Sequence, residues 1–147
     1  MKVSAKGEYA IRAVLDLALH EAAGLRPIQD VAAQQHIPQR YLEQVLLQLK
    51  RAGLLASKRG SAGGYRLSRR PREITVGEVL RAVEGGAAGL EGAGRSRGRT
   101  AADADGLAGF WGEIDEALSA VVDRTTFEDL RQRAEERRRA AQPMYHI

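Results

Sequence analysis

Apolar residues recur at helical spacing from the start of the chain. Tyr9, Ala13 and Leu17 follow one another at steps of four, and Ala10, Ile11, Val14, Leu15 and Ala18 widen the stripe over most of the circumference. This pattern predicts a helix over about Ala5–Ala23, with Ser4 as N-cap, Gly24 as stop signal and packing on more than one side. A short helix over Ile28–Gln35, opening after Pro27, buries Ile28, Val31 and Ala32. Pro38 then starts a third helix, to about Ala52, with Leu42, Val45, Leu46 and Leu49 at i, i+3, i+4, i+7 and Gly53 as its end. There the period changes. Leu54–Lys58 reads as a strand, Arg59–Gly64 as a glycine-rich turn and Tyr65–Ser68 as a second strand. Thr75 caps a helix over Val76–Val83, with Glu78 as its capping-box partner.

Order is expected to lapse next. Residues 85–98 hold six of the 16 glycines, and three arginines, at 95, 97 and 99, alternate with small residues. That composition marks a flexible segment. A long helix is predicted over about Gly106–Asp123, with Leu107, Phe110, Trp111, Ile114, Leu118, Val121 and Val122 on one stripe, and a last one from Thr126 to about Ala140. Three helices followed by a two-stranded hairpin is the chain order of a winged helix-turn-helix, mainly α, whose third helix is the reader. The predicted organisation is therefore a winged helix-turn-helix DNA-binding domain over 1–84, a Gly/Arg-rich flexible segment over 85–105 and a helical dimerisation region over 106–147.

Composition narrows this further. At 147 residues the chain is about one domain long. Its 44% hydrophobic and 29% charged residues are an ordinary globular balance, and 5% aromatics make the core aliphatic. It has no cysteine, which excludes disulfides, thiolate metal sites and thiol nucleophiles. No apolar run reaches the roughly 20 residues that span a bilayer, and the N-terminus lacks a signal-peptide stretch, so a cytoplasmic location is expected.

The formal net charge of +4 hides an asymmetry. Between Pro38 and Arg72 nine basic residues (Arg40, Lys50, Arg51, Lys58, Arg59, Arg66, Arg69, Arg70, Arg72) face one acid, Glu43. This points to a polyanionic partner, the bland alternative being a solvated surface. The third helix turns Gln39, Arg40, Glu43, Gln44 and Lys50 away from its apolar stripe. Arg can bond guanine O6 and N7, Glu can accept from cytosine N4 and Gln can pair with adenine. Leu47 suits a thymine methyl or simple packing. At the hairpin tip Arg59 could enter a minor groove or follow phosphates, or the glycines could merely make a turn.

No catalytic or metal constellation is readable. His20, His36 and His146 show no ligand spacing, Ser57 and Ser61 have no base, and the glycines are followed by no Walker Lys-Ser or Lys-Thr. The stripe Leu107, Phe110, Trp111, Ile114, Leu118, Val121 either closes the domain's own core or forms a dimer seam. The seam is favoured, because the glycine-rich segment separates this helix from the wing.

Several stretches resemble the Rrf2 family of bacterial winged-helix regulators. They are Lys2–Ala13, Ile37–Gln44, Leu49–Leu54, Arg59–Leu67 and Ile74–Val79, with a weaker match at Trp111 and Leu130. The resemblance implies a homodimer on a roughly palindromic double-stranded DNA operator, with the third helix in the major groove and the wing in the minor groove. It implies base reading by Arg59 and Glu43 with its neighbours, and phosphate contacts by Ser4, Lys6 and Tyr41; Gly60 belongs to the same wing tip. Position 40 is often small in the iron–sulfur members, so Arg40 points to a different operator. Those members also place three cysteines between Gly85 and Asp105, where this chain has none. The expectation is a repressor without a metal cofactor, open to an effector that is a small molecule or a partner protein. The alternative is a protein-interaction module on the same fold that has lost DNA binding.

Overall fold

The computed structural model describes residues 3–84 and 106–142. Helix α1 spans Ala5–Leu19, α2 Ile28–Gln35, α3 Gln39–Arg51, α4 Val76–Glu84, α5 Ala108–Arg124 and α6 Phe127–Ala141; strands β1 (Leu55–Lys58) and β2 (Gly64–Leu67) lie between α3 and α4. The order matches the winged helix-turn-helix expected from the sequence. The flexible segment expected over 85–105 lies outside the described residues.

α1 ends earlier than its apolar pattern predicts. At His20 the backbone leaves helical geometry, and Glu21–Ala23 forms a 3₁₀ turn that Gly24 closes at φ 81°. α1 is central to the packing and meets α2, α3, α4 and α6. Its stripe of Gly7, Ala10, Ala13, Val14, Leu17 and Ala18 is buried. The small residues on that stripe let neighbouring helices approach closely.

The hairpin is antiparallel, with Leu55 opposite Leu67 and Lys58 opposite Gly64. Leu55 and Leu67 are both buried and pin its base to the core. Thr75 caps α4 as the sequence predicts: its Oγ1 accepts from the Glu78 N–H at 3.2 Å, and Glu78 Oε1 accepts from the Thr75 N–H at 3.4 Å. Thr126 forms the same reciprocal box with Asp129 at the start of α6.

The two ends of the chain share one core. Phe127 is fully buried together with Leu42, Leu46, Leu49, Ile74, Val14, Val31, Val45 and Val79. Its N–H donates to the Ile74 carbonyl at 3.0 Å, and the Val76 N–H donates to the Thr125 carbonyl at 2.9 Å. Arg81 of α4 clasps Asp123 of α5 with two hydrogen bonds, 2.6 and 2.9 Å. Among the described residues no helix is long and apolar enough to cross a membrane.

Candidate nucleic-acid interface

α2 and α3 are joined by a three-residue turn. His36 adopts the left-handed conformation (φ 55°, ψ 44°), Ile37 is buried and Pro38 opens α3. Pro38 offers no side-chain cap and α3 has no acid in its first turn. The leading N–H groups of α3 therefore keep their partial positive charge for an outside acceptor. Leu42, Val45, Leu46 and Leu49 hold the inner face of α3. Gln39, Arg40, Tyr41, Glu43, Gln44, Leu47 and Lys50 are exposed.

Tyr41 packs edge-on against Tyr9, ring centroids 5.4 Å apart, and so joins the start of α3 to the second turn of α1. The N-terminal half of α1 thus lies beside the start of α3. Ser4 caps it by accepting from the Gly7 N–H at 3.1 Å, and the same hydroxyl donates to the Glu84 carboxylate at the end of α4. Lys6 is half-buried.

At the wing tip the Gly63 N–H donates to the Gly60 carbonyl at 3.0 Å, closing a tight turn with Gly60 at φ 110°. A side chain on Gly63 would run into the carbonyl of Lys58. Lys58, Arg59 and Gly60 are all exposed there. Of the nine cations between Pro38 and Arg72, only Arg69 has a carboxylate partner, Glu78 at 2.5 Å. The other eight pair with no carboxylate among the described residues. Elsewhere Arg12, Arg26, Arg81 and Arg131 are each neutralised by an acid. Hydrogen bonds donated to the Asp123 and Glu128 carboxylates hold the Arg81 and Arg131 pKa values above the ordinary arginine value.

The residues singled out on α5 divide. Val122 is buried and Leu118 packs on the core; Trp111 and Ile114 are half-buried; Leu107 (43% exposed), Phe110 (51%) and Val121 (46%) remain uncovered. The sequence missed one residue altogether. Asp16, inside the apolar run of α1, is fully buried, its carboxylate bonded to Arg26 and Gln35. A lone acid in an otherwise apolar helical run was the signal. His20, four residues on, approaches the same carboxylate at 3.5 Å.

Comparison with known proteins agrees with this architecture. Residues 3–133 match the model of the Rrf2 family, described as an iron-dependent transcriptional regulator. The HTH-type transcriptional regulator IscR of Aliivibrio salmonicida is 50% identical over 84 residues, 57% of this chain and 50% of that protein. IscR of Serratia proteamaculans is 35% identical over 138 residues, 88% of this chain and 79% of the relative. The chain thus spans about half the length of the first of these relatives. Among solved structures, T. potens IscR superposes with a TM-score of 0.76 at 34% identity, covering 99% of this chain and 97% of that one. CymR, the global cysteine regulator of B. subtilis, gives 0.73 at 32% identity, covering 90% and 97%.

The donor set does not fit a thiolate-held iron centre. The chain contains no cysteine, and His20 Nδ1 is engaged with the Asp16 carbonyl at 2.8 Å. No group of three or more His, Cys, Asp or Glu side chains converges among the described residues. With its helix-turn-helix, hairpin and C-terminal helices, the chain belongs to the Rrf2 family of helix-turn-helix transcriptional regulators.

Proposed function

We propose that the protein is a homodimeric, cytoplasmic repressor that binds a roughly palindromic DNA operator and ligates no iron–sulfur cluster. The observation that carries this reading is the cation pattern. Eight positive side chains on α3, the wing and the segment after it are left without acid partners in a stretch that holds a single acid, Glu43, whereas the unpaired arginines of the C-terminal helices, Arg124, Arg133, Arg137, Arg138 and Arg139, lie among acids on their own helices. Unpaired cations concentrated on the reading elements suit a phosphate backbone, where binding releases counterions.

Within this surface the residues divide by reach. Arg40, Glu43 and Gln44, in the first turns of α3 with Gln39, meet base edges in the major groove. Lys50, Lys6 and Tyr41 meet phosphates, together with the uncapped N–H groups of α3. Arg59, carried on the tight Gly60–Gly63 turn, enters the minor groove. Ser4 joins the phosphate contacts when its hydroxyl gives up Glu84 as acceptor. The uncovered apolar edge of α5, with Phe110, Leu107 and Val121, packs on its counterpart in a second copy and brings two reading helices to one operator. A signal, whether small molecule or partner protein, acts on this dimer without thiolate chemistry.

The test is a binding assay against the DNA upstream of the protein's own gene and against random DNA, across salt. With roughly 6–10 phosphate contacts in a dimer, affinity should fall about 10³–10⁵-fold between 50 and 200 mM salt. Arg59→Ala should weaken specific binding by about 1–3 kcal/mol per half-site and non-specific binding far less, whereas Lys50→Ala should weaken both alike. A salt slope near zero would refute nucleic-acid binding.

A further inference from the structure

The wing does not hang freely from the end of α3. Its second strand is pressed against the connector between α1 and α2: the Arg26 N–H donates to the Tyr65 carbonyl at 2.8 Å, and the Tyr65 N–H donates to the Arg26 carbonyl at 2.9 Å. Gly64 makes this approach feasible, because a Cβ there would fall 2.5 Å from the Arg26 carbonyl oxygen and 2.9 Å from Pro27 N.

Arg26 is in turn held from inside the protein. Its Nε donates to Asp16 Oδ1 at 2.9 Å, and its guanidinium reaches Asp30 on α2 at 3.7 Å. The other Asp16 oxygen, Oδ2, accepts from Gln35 Nε2 at 3.0 Å. Gln35 is the last residue of α2, directly before the turn that launches α3. One buried carboxylate on α1 therefore grips two ties. One runs through Arg26 to the wing, and the other runs through Gln35 to the helix-turn-helix.

The chemistry of this node matters more than its burial. A buried ion pair is a poor source of stability compared with apolar packing, and its best-attested use is to fix one arrangement among several. α1 is apolar on both sides of Asp16, at Leu15 and Leu17, so packing alone gives no reason for an acid there. A carboxylate accepts at both oxygens; the Arg26 guanidinium can only donate, and Gln35 donates through its amide N–H₂.

We propose that Asp16 is a positioning residue for DNA recognition: by holding Arg26 and Gln35 at once, it sets the wing and the recognition helix in one fixed relation, and hence which combination of major- and minor-groove contacts can form together. This rests on the DNA-binding reading above. Asp16 touches no DNA itself; it acts through the placement of Arg59 relative to α3.

Two full-length variants test it by different routes. Asp16→Ala removes both acceptors, so neither tie can form. Gly64→Ala leaves the buried pair intact and pushes the wing off Arg26. Both should lower affinity for a selected operator about tenfold, the scale of coupling within one hydrogen-bonded network, with random-DNA affinity within about twofold. The sharper readout is a double-mutant cycle with Arg59→Ala. In either background the specific-binding loss caused by Arg59→Ala should shrink to less than about twofold, because a misplaced wing has little left to lose.

Hydrogen exchange gives a readout that needs no DNA. The Arg26 and Tyr65 amides should exchange faster in both variants while the α3 and α4 amides keep their protection. If Asp16→Ala lowers thermal stability but the Arg59→Ala loss and the operator preference are unchanged, Asp16 is only a core residue and the proposal fails. Unchanged Arg26 and Tyr65 exchange in Asp16→Ala overturns it too. Absence of DNA binding by the wild-type chain would instead remove the DNA-binding reading, and the exchange experiment would still decide whether Asp16 holds the wing.

Discussion

α1 and α5 are helices of similar length, 15 and 17 residues, and both carry a broad apolar stripe. Folding treats them differently. α1 buries seven residues, among them Ala10, Ala13 and Val14 with no exposed surface, whereas α5 buries only Val122. The contrast lies in side-chain size. α1 lines its stripe with Gly7 and alanines and lets α2, α3, α4 and α6 close around it. α5 lines its stripe with Phe110, Trp111, Ile114 and Leu118, and only the Leu118–Val122 edge meets the core. The Phe110 and Trp111 rings lie 5.3 Å apart, and Phe110 is still half exposed. Apolar periodicity says that a face will be buried; what remains uncovered after the chain has folded says where a second surface has to come from.

The largest expected effect comes from charging that uncovered edge. Phe110→Glu removes an apolar anchor from α5 without opening the core. The variant should sediment as a folded monomer, with operator affinity down about 10²–10⁴-fold because the two half-sites are no longer linked. Ile114→Glu should act in the same direction with some loss of stability, since that residue is half-buried. A Phe110→Glu protein that remains a dimer would place the seam elsewhere.

The chain's other phenylalanine should behave in the opposite way. Phe127 has no exposed surface and sits among Ile74, Val14 and Leu42, so Phe127→Ala should cost about 3–5 kcal/mol of stability. Phe110→Ala, measured on the monomeric background, should cost far less. Equal losses in chemical denaturation would show that α5 is as fully packed as α1. A smaller effect of the same kind is expected at Ala13, where Ala13→Leu overfills a closed face and should destabilise by about 1–3 kcal/mol.

Much of this architecture was legible in the sequence. The α2 bounds, the third helix, the wing and the Thr75 cap all follow from local signals: apolar spacing, a proline at a helix start, a glycine-rich turn, and a Thr three residues ahead of an acid. Features that depend on tertiary partners were not legible. The bonds of Asp16 join residues 10 and 19 positions away, which no periodic pattern records. Phe127 read as the start of a separate helix, yet it fills the space between α1 and the segment before α4. The α5 stripe looked uniform because spacing reports a face and not what lies opposite it. Ser4 is legible as a cap, but the Glu84 carboxylate its hydroxyl bonds, 80 positions away, is not.

The smallest expected effect concerns the polar clasp that holds α5 against α4. Asp123 is kept below its ordinary carboxylate range chiefly by the hydrogen bonds from Arg81, with the Arg81 charge adding to them and partial desolvation opposing. Asp129 is likewise held low by the Thr126 backbone N–H and hydroxyl. For such groups the folded pKa lies beneath the unfolded one, about 3.9. Their stabilisation is therefore complete above that value and drains away as pH falls through the folded pKa. Because Asp123 is 46% exposed and the clasp is open to solvent, the effect should be modest and should shrink at high salt. Thermal melts from about pH 6 downward should show the wild type losing stability below about pH 4, with Asp123→Asn less stable at neutral pH and converging on the wild type in acid. The same Asp123→Asn change should loosen α5 amides before α1 amides in hydrogen exchange, since α1 is closed in from several sides and α5 depends on a narrow apolar edge and this ion pair. A wild-type and Asp123→Asn pair that stay equally far apart down to about pH 2 would show that the clasp contributes through shape and not through charge.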